Sequence, residues 1–345
     1  MSDRRISVVI PYRERAANLR LALSALAEQT LPMTDFEVVL GVLDDSGEHA
    51  AICREFTGRL DVVTVTSSRP WQVGEARNLA LRQATGEIVV LMDVDMVLPP
   101  RSLQDLYDHH FRYGQQSCVV GQMLDYDNNS GDVTEIDVQP WEHYRKLLAD
   151  LEITGPGEQD PRMTVPHVIP WAFAWTALIA LPRKLAAEFD PGFHGYGVED
   201  LEWAYRVARS GTPILMGRDF FGVHLPHVRS VAANKRSEAP NYRYFLHKWP
   251  GLDVELACAF GDFEANTLFP ELLRETGGGT LHAVLTDGEL DLGVPPGPET
   301  LPLLGLALPF EDGSIGSCRV RDTITALPAR YRDRILAEVR RVTRP

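Results

Sequence analysis

The feature that most constrains this chain is a series of short apolar runs, each passed to a helical pattern through a brief connection. Ile6-Ser7-Val8-Val9-Ile10, Phe36–Leu43 and Ile88–Met92 are nearly continuous aliphatic segments, as expected of strands buried on both faces. Between them lie helical patterns: one to about Gln29 with Leu19, Leu23 and Leu26 on one face, one over His49–Phe56, and one from Gly74 to about Ala84. Leu60–Val65 reads as a further strand. Strand and helix alternating in this way give a doubly wound α/β sheet with a parallel core. With 345 residues there is room for one large α/β domain plus an appendage, or for two domains.

In such sheets ligands bind at the carboxyl edge of the strands, and polar groups gather at three of these strand ends. The Ile88–Met92 run ends in Asp93-Val94-Asp95. Residues two apart on a strand share a face, so both carboxylates are expected to face one object. Two like charges that close are costly without a cation or other partner, and a hard divalent ion, Mg²⁺ or Mn²⁺, suits oxygen ligands; a solvated Asp-x-Asp at a strand end is the competing reading. The first strand leads into Pro11-Tyr12-Arg13-Glu14-Arg15, and the second ends at Asp44-Asp45-Ser46-Gly47. Asp44 there suits a hydrogen bond to a base edge or ribose; a plain turn is the competing reading. Arg77, near the start of a helix, suits a phosphate or a carboxylate, and a structural salt bridge competes with that.

Further along, Leu103–Tyr113 reads as a helix with Ser102 as its N-cap, Ser117–Leu124 as a strand, Asp125–Asp137 as a polar loop and Trp141–Leu151 as a helix. Trp171 and Trp175 alternate with small residues, which fits either packing or a platform for a sugar ring. A glycine-rich turn, Gly195-Tyr196-Gly197, then opens a helix whose first turn holds Glu199, Asp200 and Glu202. Acidic residues there are favoured by the helix dipole alone. Pro213–Met216 reads as a short strand, followed by His224 and His227 in a Gly/Pro segment. Arg229–Arg243, with Lys235 and Arg236, is expected to form a lid loop. Beyond Gly251 the chain offers glycine and proline breaks and a last amphipathic helix from about Pro328 to Val342.

The order Pro11-Tyr12-Arg13-Glu14-Arg15, Asp44-Asp45, Gly74-Glu75-Ala76-Arg77-Asn78 and Asp93-Val94-Asp95 resembles that of nucleotide-sugar glycosyltransferases of the GT-A fold, family 2 above all. The likeness covers about residues 5 to 230. It implies a doubly wound, mixed but mostly parallel sheet flanked by helices, with a GT-A domain over 1–240 and a carboxyl-terminal extension over 241–345. Within that domain, 1–115 would be the nucleotide-binding half and 116–240 the acceptor and metal half. By this resemblance the donor nucleotide, UDP-linked, is held by Pro11, Tyr12, Arg13, Arg15, Asp44, Arg77, Asp93 and Val94. Asp95 and Asp93 bind Mn²⁺ or Mg²⁺, with His224 as a further ligand and His227 as its alternate. The Gly-x-Gly-x-Glu-Asp approach resembles the acceptor motif of inverting enzymes: Asp200 is the general base, assisted by Glu199, and Trp171, Trp175, Tyr196 and Glu202 meet the acceptor.

The formal charge of −14 argues against a general nucleic-acid partner. Four scattered cysteines, Cys53, Cys118, Cys258 and Cys318, make no zinc signature or disulfide framework, which fits a reducing cytoplasm. Neither a signal peptide nor a transmembrane segment is expected; peripheral membrane contact and a homodimer remain compatible with the sequence. Two other readings compete. One is a retaining GT-A transferase, which the Glu199–Arg206 run also resembles. The other is a catalytically silent module that binds sugar nucleotides or glycans. A nucleotidyltransferase is disfavoured because the first loop lacks a Gly-rich, Lys-bearing phosphate cradle.

Overall fold

The computed structural model describes residues 4–43, 46–125, 131–277 and 281–344. The chain divides into two compact units, one built from residues up to Thr164 together with Ala174–Ser237, the other from Val165–Phe173 and Glu238 onward. In the first unit the elements run β1 (Ile6–Tyr12), α1 (Ala16–Ala27), β2 (Phe36–Val42), α2 (Glu48–Glu55), β3 (Val62–Thr66), α3 (Val73–Leu81), β4 (Ile88–Met92), β5 (Met96–Val97), α4 (Ser102–Leu106), β6 (Cys118–Leu124), α5 (Trp141–Thr154), β7 (Leu178–Pro182), α6 (Glu199–Arg209) and β8 (Ile214–His224).

These eight strands form one sheet in the order β3-β2-β1-β4-β7-β6-β8-β5. The first four are mutually parallel. β7 lies antiparallel between β4 and β6, β8 is parallel to β6, and β5 is antiparallel to β8. This is the mixed, mostly parallel sheet that the sequence leads one to expect. β1, β2, β4, β6 and β7 are buried along their whole length, which explains why their sequences do not alternate. Leu19, Leu23 and Leu26 of α1 share one core cluster with Val8, Val38 and Val90. Each such side chain contributes roughly 1.5–3 kcal/mol by leaving water.

The sheet also decides where a site can lie. β1 pairs with β2 as far as Tyr12 but with β4 only as far as Val9. Beyond Val9, β1 no longer pairs with β4, and Pro11 is tolerated there. The chain leaving β1 and the chain leaving β4 therefore part at the topological switch point, where doubly wound sheets open a crevice.

Three local expectations need correction. The Arg229–Arg243 segment is not a loop: α7 (Val231–Lys248) is one helix with Pro240 inside it. The strand expected over Pro213–Met216 is β8, which runs on to His224 because it pairs first with β6 and then with β5. Ser102 is the first residue of α4 rather than its cap, and the helix widens to a π turn over Tyr107–Phe111.

In the second unit the part of α7 from Glu238 on is followed by α8 (Leu252–Phe260), α9 (Asp262–Glu275), β9 (His282–Thr286), β10 (Glu289–Val294), β11 (Ser317–Val320), α10 (Asp322–Thr325) and α11 (Ala329–Val342). The three strands make a small sheet, β11-β10-β9, in a stretch that reads as irregular from sequence. Its signal is Asp287-Gly288: both residues have positive φ, 50° and 83°, as a tight hairpin turn requires. On α11, Tyr331, Ile335 and Val342 are buried. Arg334 donates to Leu306 O and Arg341 to Leu308 O and Phe310 O, so these arginines tie the helix to its own unit. Among the described residues no helix is long and apolar enough to cross a membrane.

Candidate active site

Strand β4 stops at Met92, and Asp93-Val94-Asp95 form a turn closed by the Met96 amide donating to Asp93 O at 3.1 Å. The expectation that both carboxylates face one object rests on strand periodicity, and a turn does not have it. Asp93 and Asp95 accordingly face different partners.

Asp95 is buried, 2% exposed, and lies at the switch point. Met96 of β5 is in register with His224 of β8, which sets the end of β8 beside Asp95. His224 Nε2 lies 3.8 Å from Asp95 Oδ1, and His227 Nδ1 lies 3.3 Å from Asp95 Oδ2. The two rings sit 5.2 Å apart at 62°. Asp95, His224 and His227 each offer a ligand atom within 4.8 Å of the others. Arg15, on the chain leaving β1, makes an ion pair with Asp95 across the crevice. Asp95 Oδ1 is nonetheless buried with no hydrogen-bond partner, a costly state for a carboxylate oxygen. Burial pushes His227 down to about 4, against the pull of Asp95. Its imidazole is therefore neutral at pH 7, as a metal ligand must be. One carboxylate and two imidazoles, with an unsatisfied oxygen among them, fit a divalent first-row cation.

Asp93 belongs to a second cluster. Arg77 of α3 is 3% exposed. Its Nη2 donates to Asp93 Oδ1 at 2.9 Å and its Nη1 to Glu199 Oε1 at 3.1 Å. Burial alone would depress the guanidinium, but Asp93 and Glu199 outweigh it and hold Arg77 above its ordinary value. Glu199 opens α6, after Val198 in a left-handed conformation with φ 77°. That conformation is unfavourable for a β-branched residue. Asp200 follows, half-buried, with Oδ1 accepting from the Leu201 amide at 2.8 Å.

The remaining expected residues are placed as follows. Pro11 and Tyr12 are within β1, not in the loop after it, and both are buried. The Tyr12 hydroxyl donates to Glu48 Oε2 at 3.4 Å. Arg13 is exposed and lies over Trp71, 5.8 Å from its ring centre. Val94 is buried in the turn. Asp44 lies outside the described residues. Tyr196 is 45% exposed. Trp175 is half-buried, with the Arg162 guanidinium 4.6 Å from its ring. Trp171 belongs to the second unit, where it is buried against Phe245 and donates from Nε1 to Asp253 at 3.2 Å. Glu202 is wholly buried, and Arg206 Nε donates to both of its oxygens at 2.9 and 3.0 Å. For Trp171 and Glu202 the structure provides packing and ion pairing rather than an exposed face.

Sequence reasoning missed a cavity of about 400 Å³ beside the cation cluster. His224, His227 and Arg229 line it on one side, Asp125, Asp137 and His143 on another. Only the polar character of 125–137 pointed to it.

Residues 7–158 match the family model described as Glycosyl transferase family 2. Two proteins called Validoxylamine A glucosyltransferase, from Streptomyces hygroscopicus subsp. jinggangensis and subsp. limoneus, are each 29% identical over 282 residues. The alignments cover 76% of this chain and 67% and 62% of theirs, so the chain spans about two thirds of the length of these relatives. The poly(ribitol-phosphate) beta-N-acetylglucosaminyltransferase TarS of Staphylococcus aureus is 31% identical over 113 residues, 31% of this chain and 19% of that protein. A solved mannosyltransferase of Pyrobaculum calidifontis, in complex with GDP-Man and Mn²⁺, covers 80% of this chain and 75% of its own at 19% identity, with a TM-score of 0.49. The match to glycosyl transferase family 2 thus takes in residues 7–158, the stretch that carries the Tyr12, Arg77 and Asp93-Val94-Asp95 motifs.

Proposed function

We propose that this protein transfers a hexosyl group from a nucleotide sugar, UDP-linked, to an acceptor hydroxyl with inversion at the anomeric carbon, and that it does so with a divalent cation. The family 2 match over residues 7–158 and the likeness to two glucosyltransferases support the reaction class. The observation that carries the cation is Asp95: a buried carboxylate with one unpartnered oxygen, flanked by His224 and His227.

In this reading Asp95, His224 and His227 hold Mn²⁺ or Mg²⁺. When bound, the cation would neutralise charge developing on the departing diphosphate. The chain's own residues do the rest. Arg13 and Arg15 lie on the chain leaving β1, where positive charge can meet the donor phosphates. Asp200, in the first turn of α6, takes the proton from the attacking hydroxyl. A carboxylate beside the acceptor hydroxyl suits a general base. Tyr196, exposed three residues before Glu199, and Trp175 are the aromatic groups offered to the acceptor. Asp44 is assigned to the donor ribose or base on its motif alone.

The test is transfer from UDP-glucose, UDP-GlcNAc and GDP-mannose with and without Mn²⁺, the product read by NMR of its anomeric proton. A product of inverted configuration, formed only with the cation, is expected. Cation-independent turnover, retention of configuration, or binding of donors with neither hydrolysis nor transfer contradicts the reading.

A further inference from the structure

Asp93 and Glu199 are far apart in sequence, yet one buried side chain touches both. Arg77 donates to each, at 2.9 and 3.1 Å. Its guanidinium lies over the Phe189 ring, 5.2 Å from its centre. That ring is stacked on Trp203 of α6, centres 5.4 Å apart and planes at 10°. The neighbouring Asn78 fixes the Phe189 backbone on both sides: Nδ2 donates to Phe189 O at 2.9 Å, and Oδ1 accepts from the Phe189 amide at 2.7 Å. Helix α3 thus grips the start of α6 twice, by charge at Glu199 and by stacking through Phe189.

The start of α6 needs such a grip. Val198 is buried and left-handed, a conformation that persists only where surrounding structure imposes it. Glu199 is the first helical residue and Asp200 the second. Whatever fixes Glu199 also fixes the direction of the Asp200 side chain.

We propose that Arg77 is a positioning residue: it locks the amino terminus of α6, and with it Asp200, to the Asp93-Val94-Asp95 turn, so that the base and the cation-bearing turn share one geometry. It acts without touching the donor. The planar fork of an arginine reaches two carboxylates at once, whereas the ammonium of a lysine is a single point charge. This inference rests on Asp200 being the base.

The experiment uses the full chain with Mn²⁺ and whichever of UDP-glucose, UDP-GlcNAc and GDP-mannose the wild type turns over. Arg77→Lys, Glu199→Gln and the double variant are compared for kcat, donor KM and the pH profile of kcat. Each single variant is expected to lose kcat by roughly 10- to 100-fold, the penalty of a small misplacement, with donor KM nearly unchanged and the acid limb of the profile displaced. The double variant should be little worse than either single one, because the two residues act through one bridge. A raised donor KM with kcat intact would make Arg77 a donor ligand and overturn the proposal. So would multiplicative losses in the double variant, or a lowered kcat with the acid limb unmoved, which marks only a smaller active fraction. If Arg77→Lys does not fold, Glu199→Gln decides: it keeps an acceptor for Nη1 and removes the charge, and an unchanged kcat overturns the proposal. An Asp200→Asn enzyme that still turns over would instead remove the base assignment. A wild type inactive on every donor would remove the transferase reading.

Discussion

Nδ1 of His227 lies 3.3 Å from Oδ2 of Asp95, although the two residues are far apart in the sequence. The contact follows from one register: β5, the strand after Asp95, is antiparallel to the end of β8. Arg15 reaches the same carboxylate from the other side of the switch point. A carboxylate with this company, and with Oδ1 still unpartnered, is the basis of the predictions about the cation.

Asp95→Asn keeps the size of the side chain and removes its charge. Transfer should fall by at least about 100-fold, since the cation's stabilisation of the leaving group is worth several kcal/mol. The rise in melting temperature on adding Mn²⁺ should vanish with it, because that rise reports binding by mass action. A transfer assay checks the first part, and a thermal-shift titration of the variant beside the wild type checks the second.

Asp200→Asn should separate binding from chemistry. Loss of a general base costs typically 100- to 10,000-fold, while donor affinity should persist because the proposed reading places the donor against Arg13, Arg15 and the Asp95 cation rather than Asp200. Calorimetric titration with UDP and Mn²⁺, set beside single-turnover transfer, makes the comparison.

The fold was legible in the sequence because its central strands are apolar without interruption and its helices carry leucines at helical spacing. Asp95, His224 and His227 could be named for a related reason: polar residues at strand ends and in glycine and proline segments stand out. The shared face of Asp93 and Asp95 was misread because the strand ends at Met92, before both carboxylates, and periodicity does not survive a turn. Asn241–Lys248 reads as helical from sequence, but the part of α7 before it was hidden by Pro240 and a polar composition. Glu202 and Trp171 look like site residues because carboxylates and tryptophans often are. Their partners, Arg206 in the next helical turn and Asp253 much later in the chain, are fixed by packing. The hairpin of the second unit did carry a signal, Asp287-Gly288, which is weak without the flanking strands in view.

Gly41 has a packing reason that can be tested apart from function. A Cβ there would lie 2.7 Å from the carbonyl carbon of Ala76, because α3 crosses β2 backbone to backbone. Gly41→Ala should destabilise the first unit by roughly 1–3 kcal/mol, the usual cost of overpacking. Since α3 carries Arg77, transfer should weaken as well. Urea unfolding followed by circular dichroism would show the loss.

Glu255 gives the second unit a pH dependence. Its carboxylate is fully buried and accepts from the Leu304, Gly305 and Leu306 amides at 2.7, 2.5 and 2.6 Å. Burial pushes it from 4.5 up to about 7, with those amides resisting the rise. The folded chain therefore keeps a proton that the unfolded chain has already released. The stability is fully present below about pH 4.5 and is lost as pH rises through about 7. At about 1.36 kcal/mol per pH unit the loss is on the order of 3 kcal/mol. Glu255→Gln should flatten that slope, measured as melting temperature between pH 4.5 and 8 in steps.

The central claim is that Asp95, His224 and His227 hold the cation that faces the donor diphosphate. Anomalous diffraction at the manganese edge, from crystals grown with Mn²⁺ and UDP, tests it most directly. The account predicts a single strong peak in ligand contact with Asp95 and His224, with the UDP phosphates against it. A peak bound elsewhere with Asp95 left on Arg15, or ordered UDP with no peak beside Asp95, would contradict it.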